Sequence, residues 1–209
     1  ARTAGRVAAI KERSNPNPVP YVGLPEFREM GIKFGYINKD DVYLHSEIKD
    51  LPAFNEPEDK LAPTSVAEFS KKIASADGVI IATPEYDHTI PAPLSSALEW
   101  IAYTSRALVN KPTMIVGASL GALGTSRAQA HLRQILDAPE LTARIMPGIE
   151  FLLGHSEQVL DDENNLNNPE KVTELEENFK EFQAFVEITN QVVSKADTDR
   201  KKAFAWEVN

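Results

Sequence analysis

The chain has no cysteine. Disulfides, thiolate metal sites and cysteine nucleophiles are therefore excluded, and a reducing compartment is compatible with that. No apolar run approaches the ~18 residues of a membrane span, and no signal peptide is visible. A cytoplasmic location with no membrane partner is expected. Positive charge is in short supply: 22 Lys and Arg against 31 Asp and Glu leave a net charge of -9. Such a balance argues against nucleic acid as a partner. Internal repeats are absent. The four histidines, at 45, 88, 131 and 155, have no spacing suited to a metal, so no metal site is expected. Ser119 lacks the glycine-x-serine-x-glycine elbow, so no hydrolytic triad is expected either. What remains is a chain of 209 residues, 42% apolar and 25% charged, long enough to bury a full core as one globular domain.

Residues 6–10 read as a short first strand, and Val42–Ile48 as another. Between them, the prolines from Pro16 to Pro25 forbid a regular helix. That proline-rich segment is either a surface-hugging stretch or a ligand-contacting loop. Ser65 and Glu68 suit a capping box opening a helix whose Val66, Phe69, Ile73 and Ala76 share a face. Residues 77–82 and 113–117 form short continuous apolar runs, as expected of strands buried on both faces. A helix is expected from about Ala92 to Val109, another from near Thr125 with Ala128, Leu132, Ile135 and Leu136 inward. A further strand candidate covers 148–153. Asp161–Asn168 reads as a solvated turn, and Asn168-Pro169 opens a last helix with Val172, Leu175, Phe179, Phe182, Phe185, Val186 and Thr189 on one side. Strands alternating with helices of this length predict an α/β doubly wound parallel sheet in three layers, flavodoxin-like in strand order.

Two loops carry the chemistry. Thr83-Pro84-Glu85-Tyr86-Asp87-His88-Thr89-Ile90-Pro91 follows the strand at 77–82 and holds two acids, an aromatic and a His, stiffened by prolines. Gly117-Ala118-Ser119-Leu120-Gly121-Ala122-Leu123-Gly124-Thr125 follows the next strand. Its glycines let backbone N–H groups approach a ligand, and the helix after it directs a positive end to the same cleft. A tight turn with no ligand explains the same spacing. No Lys-Ser/Thr follows the glycines, so this is not a nucleotide phosphate loop. Side by side, the two loops would hold a flat heteroaromatic between a rigid wall and a set of donors.

The stretch 83–91 with Leu94 and Ala97-Leu98-Glu99-Trp100 resembles the threonine-proline-glutamate-tyrosine-asparagine motif of the NAD(P)H-dependent FMN reductases. Lys111-Pro112 through Gly117-Ala118-Ser119, with Gly121, Gly124-Thr125, Arg127-Ala128-Gln129 and Leu132-Arg133, is similar to that family's second motif. The family includes quinone, chromate and azo-dye reductases of flavodoxin-like fold. The resemblance implies non-covalent FMN, with the isoalloxazine at Pro84, Glu85, Tyr86 and Asp87 and at Gly117, Ala118 and Ser119, and Thr89 and Gly121 as further cofactor-binding residues. Arg13, Ser14 and Asn15 stand as the remnant of the loop that cradles the phosphate. NADPH or NADH serves as co-substrate and a small-molecule electron acceptor takes its place, in a homodimer or homotetramer. No protein acid or base is implied, since the flavin carries the redox chemistry. Two departures stand out: Asp87 replaces the family's Asn, and 1–36 is an atypical first β/α unit that lacks the usual glycine. Residues 1–193 are expected to form one domain and 194–209 an extension. The alternative reading is a flavodoxin-fold binding or interaction protein with an impaired phosphate site and no flavin turnover.

Overall fold

A computed structural model describes residues 6–10, 48–160 and 166–192. The expected proline-rich segment, most of the strand at 42–48, the first part of the turn at 161–168 and the extension at 194–209 lie outside the described residues. Ile48 is described, and it opens a 3-10 turn, Ile48–Asp50, rather than ending a strand.

The strands are β1 (Arg6–Ile10), β2 (Gly78–Thr83), β3 (Pro112–Ala118), β4 (Arg144–Ile145) and β5 (Phe151–Leu153). The helices are α1 (Thr64–Ser75), α2 (Ala92–Trp100), α3 (Ser126–Leu136), α4 (Ser156–Val159) and α5 (Pro169–Val192). The sheet runs β1-β2-β3-β4, with β5 also paired to β3. β4 meets the start of β3 (Pro112↔Arg144) and β5 its end (Val116↔Phe151), both parallel. They act as one interrupted strand, broken around Gly148, where φ is +76°. β2 and β3 pair in parallel with Thr83 opposite Gly117, which puts the two loops of interest at the same sheet edge. This is the doubly wound α/β arrangement, with one difference. β1 lies beside β2 but runs antiparallel, so Ile10 faces Gly78 and Arg6 faces Ala82. Either ladder direction satisfies the edge of β2, and an antiparallel edge strand on a parallel sheet is a common outcome.

All six residues of β2 are buried. Val79 and Ile81 join Phe69, Ile73, Leu94, Leu98, Ile101, Leu132 and Leu136 in one core cluster, under α1, α2 and α3. Ile80 and Ala82 join Met114, Val116, Phe151, Leu175, Phe179 and Phe182 in the other, under α5. The period-2 alternation of a strand thus feeds two cores and gives three layers.

Two helix expectations are corrected. α1 starts at Thr64 with Pro63 as N-cap and no side-chain cap, so Ser65 falls inside the first turn and the capping box does not form. Its far end is held by Lys111, whose Nζ donates to Ala74 O at 3.2 Å and also to Ala76 O. α2 does not reach Val109. It widens into a π-helical turn at Ile101–Ser105 and stops at Arg106, which is left-handed and donates its N–H to Ile101 O at 2.7 Å. The hydroxyls of Thr104 and Ser105 donate to the carbonyls of Trp100 and Ile101, competing with the regular ladder. The segment before α1 straps across this face. Phe54 meets Trp100 and Tyr103 edge-on at 4.9 and 5.7 Å, and Trp100 Nε1 donates to Pro52 O at 2.9 Å. The Tyr103 hydroxyl donates to Glu56 Oε1 at 2.9 Å; desolvation first, and that acceptor second, raise its pKa. Arg106 is 7% exposed, and burial lowers its pKa while the Glu140 carboxylate opposes the shift.

α5 begins as expected. Asn168 Oδ1 accepts the N–H groups of Glu170 and Lys171 at 3.0 and 3.1 Å. Leu175, Phe179, Phe182, Val186 and Thr189 are buried, while Val172 and Phe185 are only partly so.

Candidate functional site

β2 delivers Thr83 to the edge, and Pro84 and Glu85 lead into a two-residue hairpin. Tyr86 and Thr89 exchange backbone hydrogen bonds at 3.0 and 2.9 Å. Between them Asp87 (φ 50°) and His88 (φ 65°) are both left-handed, the geometry of a type I′ turn. Asp and Asn both tolerate this conformation at the first central position. His88 is less suited than glycine to the second. Replacing His88 by Gly is expected to stabilise the protein by about 0.5–1 kcal/mol, read as a rise in the urea midpoint, even though the side chain has a partner. That partner is Arg127, whose Nη1 donates to His88 Nδ1 at 2.7 Å. The bond requires Nδ1 to be the unprotonated ring nitrogen.

The second loop leaves β3 at Gly117, where the two strands close on each other. A Cβ there would collide with Thr125 Oγ1 and stand 2.6 Å from Thr83 O. Beneath it, fully buried Gln129 donates from Nε2 to Thr125 Oγ1 and to Phe151 O, both at 2.9 Å. This ties α3 and its N-cap residue to β5. Gly124 turns the chain into α3 with φ at +60°.

Several of the expected contact groups are already occupied within the protein. Glu85 Oε2 accepts the N–H groups of Arg127 and Ala128 at 3.0 and 3.1 Å. The positive end of α3 therefore holds a carboxylate of the chain itself. The Ser119 hydroxyl donates to Gly124 O and to Gly121 O at 3.3 Å; its N–H bonds Leu153 O at 2.9 Å. Thr89 Oγ1 bonds His131 Nδ1. Arg133 donates to Met146 O and Ile149 O at 3.3 and 2.8 Å, bracing the chain between β4 and β5.

Other groups remain open. Among the described residues, the backbone N–H groups of Glu85, Asp87 and His88 in one loop have no acceptor. The same holds for Leu120, Gly121, Ala122 and Leu123 in the other. Tyr86 is 46% exposed and Leu120 64%. A Cβ on Gly121 would meet only Ser119 Oγ, at 3.9 Å, so that position stands open. The edge thus offers amide donors from two loops, with exposed aromatic and aliphatic surface beside them. Such a set complements a flat ring edged with carbonyl and ring-nitrogen acceptors, as the pyrimidine side of a flavin is. Of the expected residues, Pro84, Tyr86, Asp87, Gly117, Ala118 and Gly121 frame this edge. Glu85, Thr89 and Ser119 build it from behind. Arg13, Ser14 and Asn15 lie outside the described residues.

Sequence reasoning gave Arg127, Gln129 and His131 no role of their own. Gln129 had a legible signal: a polar residue one helical turn after Thr125, on the face otherwise given to Ala128, Leu132 and Leu136. Among the described residues no group of His, Asp and Glu can hold a metal, and no helix is long and apolar enough to cross a membrane.

A family model for NADPH-dependent FMN reductases matches residues 26–158. The NADH:(hydroxy)cinnamate reductase subunit CrdA of Vibrio ruber is 57% identical over 162 residues, 77% of this chain and 80% of that protein. The NADH-dependent flavin reductase subunit 2 of Lactobacillus johnsonii is 42% identical over 146 residues, 68% and 78% of the two chains. Among solved structures, the flavoenzyme FerB, an NAD(P)H:(acceptor) oxidoreductase from Paracoccus denitrificans, is similar in fold. Its TM-score is 0.64 at 23% identity, over 79% of this chain and 90% of that one.

Proposed function

The chain belongs to the NADPH-dependent FMN reductase family, and from that premise we propose that it binds FMN at the shared edge of β2 and β3. There it takes hydride from NADH or NADPH and passes it to a small-molecule acceptor of the quinone, azo, metal-oxyanion or flavin class. The observation that carries this reading is the paired row of open amide N–H groups on the two loops, beside exposed Tyr86. FMN, when bound, supplies the hydride and electron chemistry.

The chain's own work is to bind, orient and exclude water. The amides of residues 85, 87 and 88 and of 120–123 donate to the acceptor edge of the ring. Tyr86 and Leu120 provide apolar cover. Gly117 keeps the two strand ends close enough for both loops to serve one ring. Asp87, at the turn, places a carboxylate at the rim, where it opposes the accumulation of negative charge on a reduced ring. Arg13, Ser14 and Asn15 are proposed as phosphate contacts. We place the protein in the cytoplasm as a homodimer or homotetramer of single-domain subunits, residues 1–193. The description of both relatives as subunits supports assembly.

The test is spectroscopic. Protein incubated with FMN and desalted is expected to keep a yellow flavin band, bleached by NADH or NADPH in the absence of oxygen. A colourless protein that cannot be loaded would overturn the reading. Tyr86→Ala should weaken FMN binding roughly tenfold, because it removes a half-exposed ring from this edge.

A further inference from the structure

The carboxylate of Glu85 is only 12% exposed although it stands in a loop at the sheet edge. Oε2 accepts two backbone N–H groups, from the second and third residues of α3. The helix's own N-cap residue, Thr125, makes no side-chain cap bond. The cap of α3 is thus supplied by a different loop, across a separation of more than forty residues. The other oxygen, Oε1, faces His88 Nδ1 at 3.7 Å and Arg127 Nη1 at 4.0 Å. Glu85 sits between Pro84, whose ring limits φ, and Tyr86, the first residue of the hairpin. Wherever α3 holds this carboxylate, the hairpin has little freedom left.

We propose that Glu85 is a positioning residue for the flavin site: by capping α3 with its carboxylate it locks the Tyr86–Thr89 hairpin in one pose, with the open amides of 85, 87 and 88 facing the ring. The proposal rests on the FMN reading above and deepens it. Glu85 acts through the hairpin and the backbone of its own loop. Its side chain is spent on the protein.

The experiment compares wild type, Glu85→Ala and Glu85→Gln by FMN titration, thermal unfolding and amide hydrogen exchange of the flavin-free protein. Glu85→Ala is expected to weaken FMN binding roughly tenfold. It should speed exchange at Tyr86 and Thr89 as well as at Arg127 and Ala128. Glu85→Gln keeps an oxygen acceptor and should restore most of the affinity. A role confined to capping would speed exchange at Arg127 and Ala128 alone, with Tyr86, Thr89 and FMN affinity unmoved; that result overturns the proposal. Should wild type fail to bind FMN, the functional reading falls, and exchange at Tyr86 and Thr89 decides the positioning role by itself. Should Glu85→Ala not fold, Glu85→Asp carries the same comparison, since it withdraws the carboxylate by one methylene.

Discussion

Gly117→Ala is expected to cost about 3 kcal/mol of stability and to abolish flavin loading in whatever protein still folds. The added methyl has nowhere to go. It meets Thr125 Oγ1 head on, with Thr125 Cβ at 2.8 Å and the Thr83 carbonyl at 2.6 Å. Two of these three neighbours cannot rotate away, because one is backbone and the other a Cβ. Relief has to come from parting β2 and β3 at Thr83↔Gly117 or from shifting α3, and either movement separates the loops that frame the site. Thr125 is also bonded to Gln129, so moving it strips a buried amide of a partner. Urea unfolding of Gly117→Ala beside Gly121→Ala makes the test sharp. The second variant meets only Ser119 Oγ at 3.9 Å and should stay within about 0.5 kcal/mol of wild type. Equal effects at the two glycines would mean that the close approach at Gly117 is not what holds the strand ends together. Adding Thr125→Ala should rescue Gly117→Ala only in part, since Thr83 O remains in the way.

Phe182→Ala should cost about 3–5 kcal/mol, a large share of the ~5–15 kcal/mol typical of a whole domain. The ring is fully buried where α5 crosses the sheet. A Cβ on Gly78 would stand 3.1 Å from Phe182 Cζ and 2.7 Å from Val186 Cγ2, so α5 packs directly onto the backbone at the start of β2. Phe182 also stacks on Phe185, with centroids 6.5 Å apart. Among the described residues α5 is the long helix on this face, and the alanine would leave a cavity in the cluster that Phe182 shares with Phe151, Phe179 and Val186. Ile188, 62% exposed on the same helix, is the control: Ile188→Ala should change stability by no more than about 0.5 kcal/mol. Comparable losses at both positions in chemical denaturation would refute this account of how α5 docks.

The parts of the fold that were legible are those in which burial repeats with a fixed period. β2 and β3 show as continuous apolar runs because both faces are covered. α1, α3 and α5 show their inward residues at helical spacing. What was not legible depends on direction, on local competition and on distant partners. An apolar pentapeptide such as Arg6–Ile10 has the same pattern whichever way it runs along β2, so its antiparallel pairing leaves no trace in the residue order. The early end of α2 depends on Thr104 and Ser105 turning their hydroxyls to the preceding turn, an option that helix spacing does not register. At the site, the two loops were legible as a pair, because consecutive parallel strands bring their carboxyl ends together. The division of labour within them was not. Glu85, Thr89 and Ser119 are polar loop residues like Tyr86 and Asp87 in sequence. Only the approach of α3, and the turn of the second loop back on Ser119, show that their side chains hold the protein while backbone amides are left for a ligand.

β3 has three neighbours, and none is local. Val79 pairs with Thr113, and Val116 with Phe151, so each parallel ladder forms only after a long stretch of chain has been brought round on itself. The entropy of those closures is lost before the pairing returns anything. Assembly should therefore be limited by the search for β3's partners rather than by helix formation, which takes about a microsecond. Truncations within β3, at Ile115 or Val116, should slow refolding more than they speed unfolding. An element chosen for bringing two distant loops to one edge is, by the same connectivity, the last for the chain to find and the one whose exposed edges are most open to wrong partners on the way.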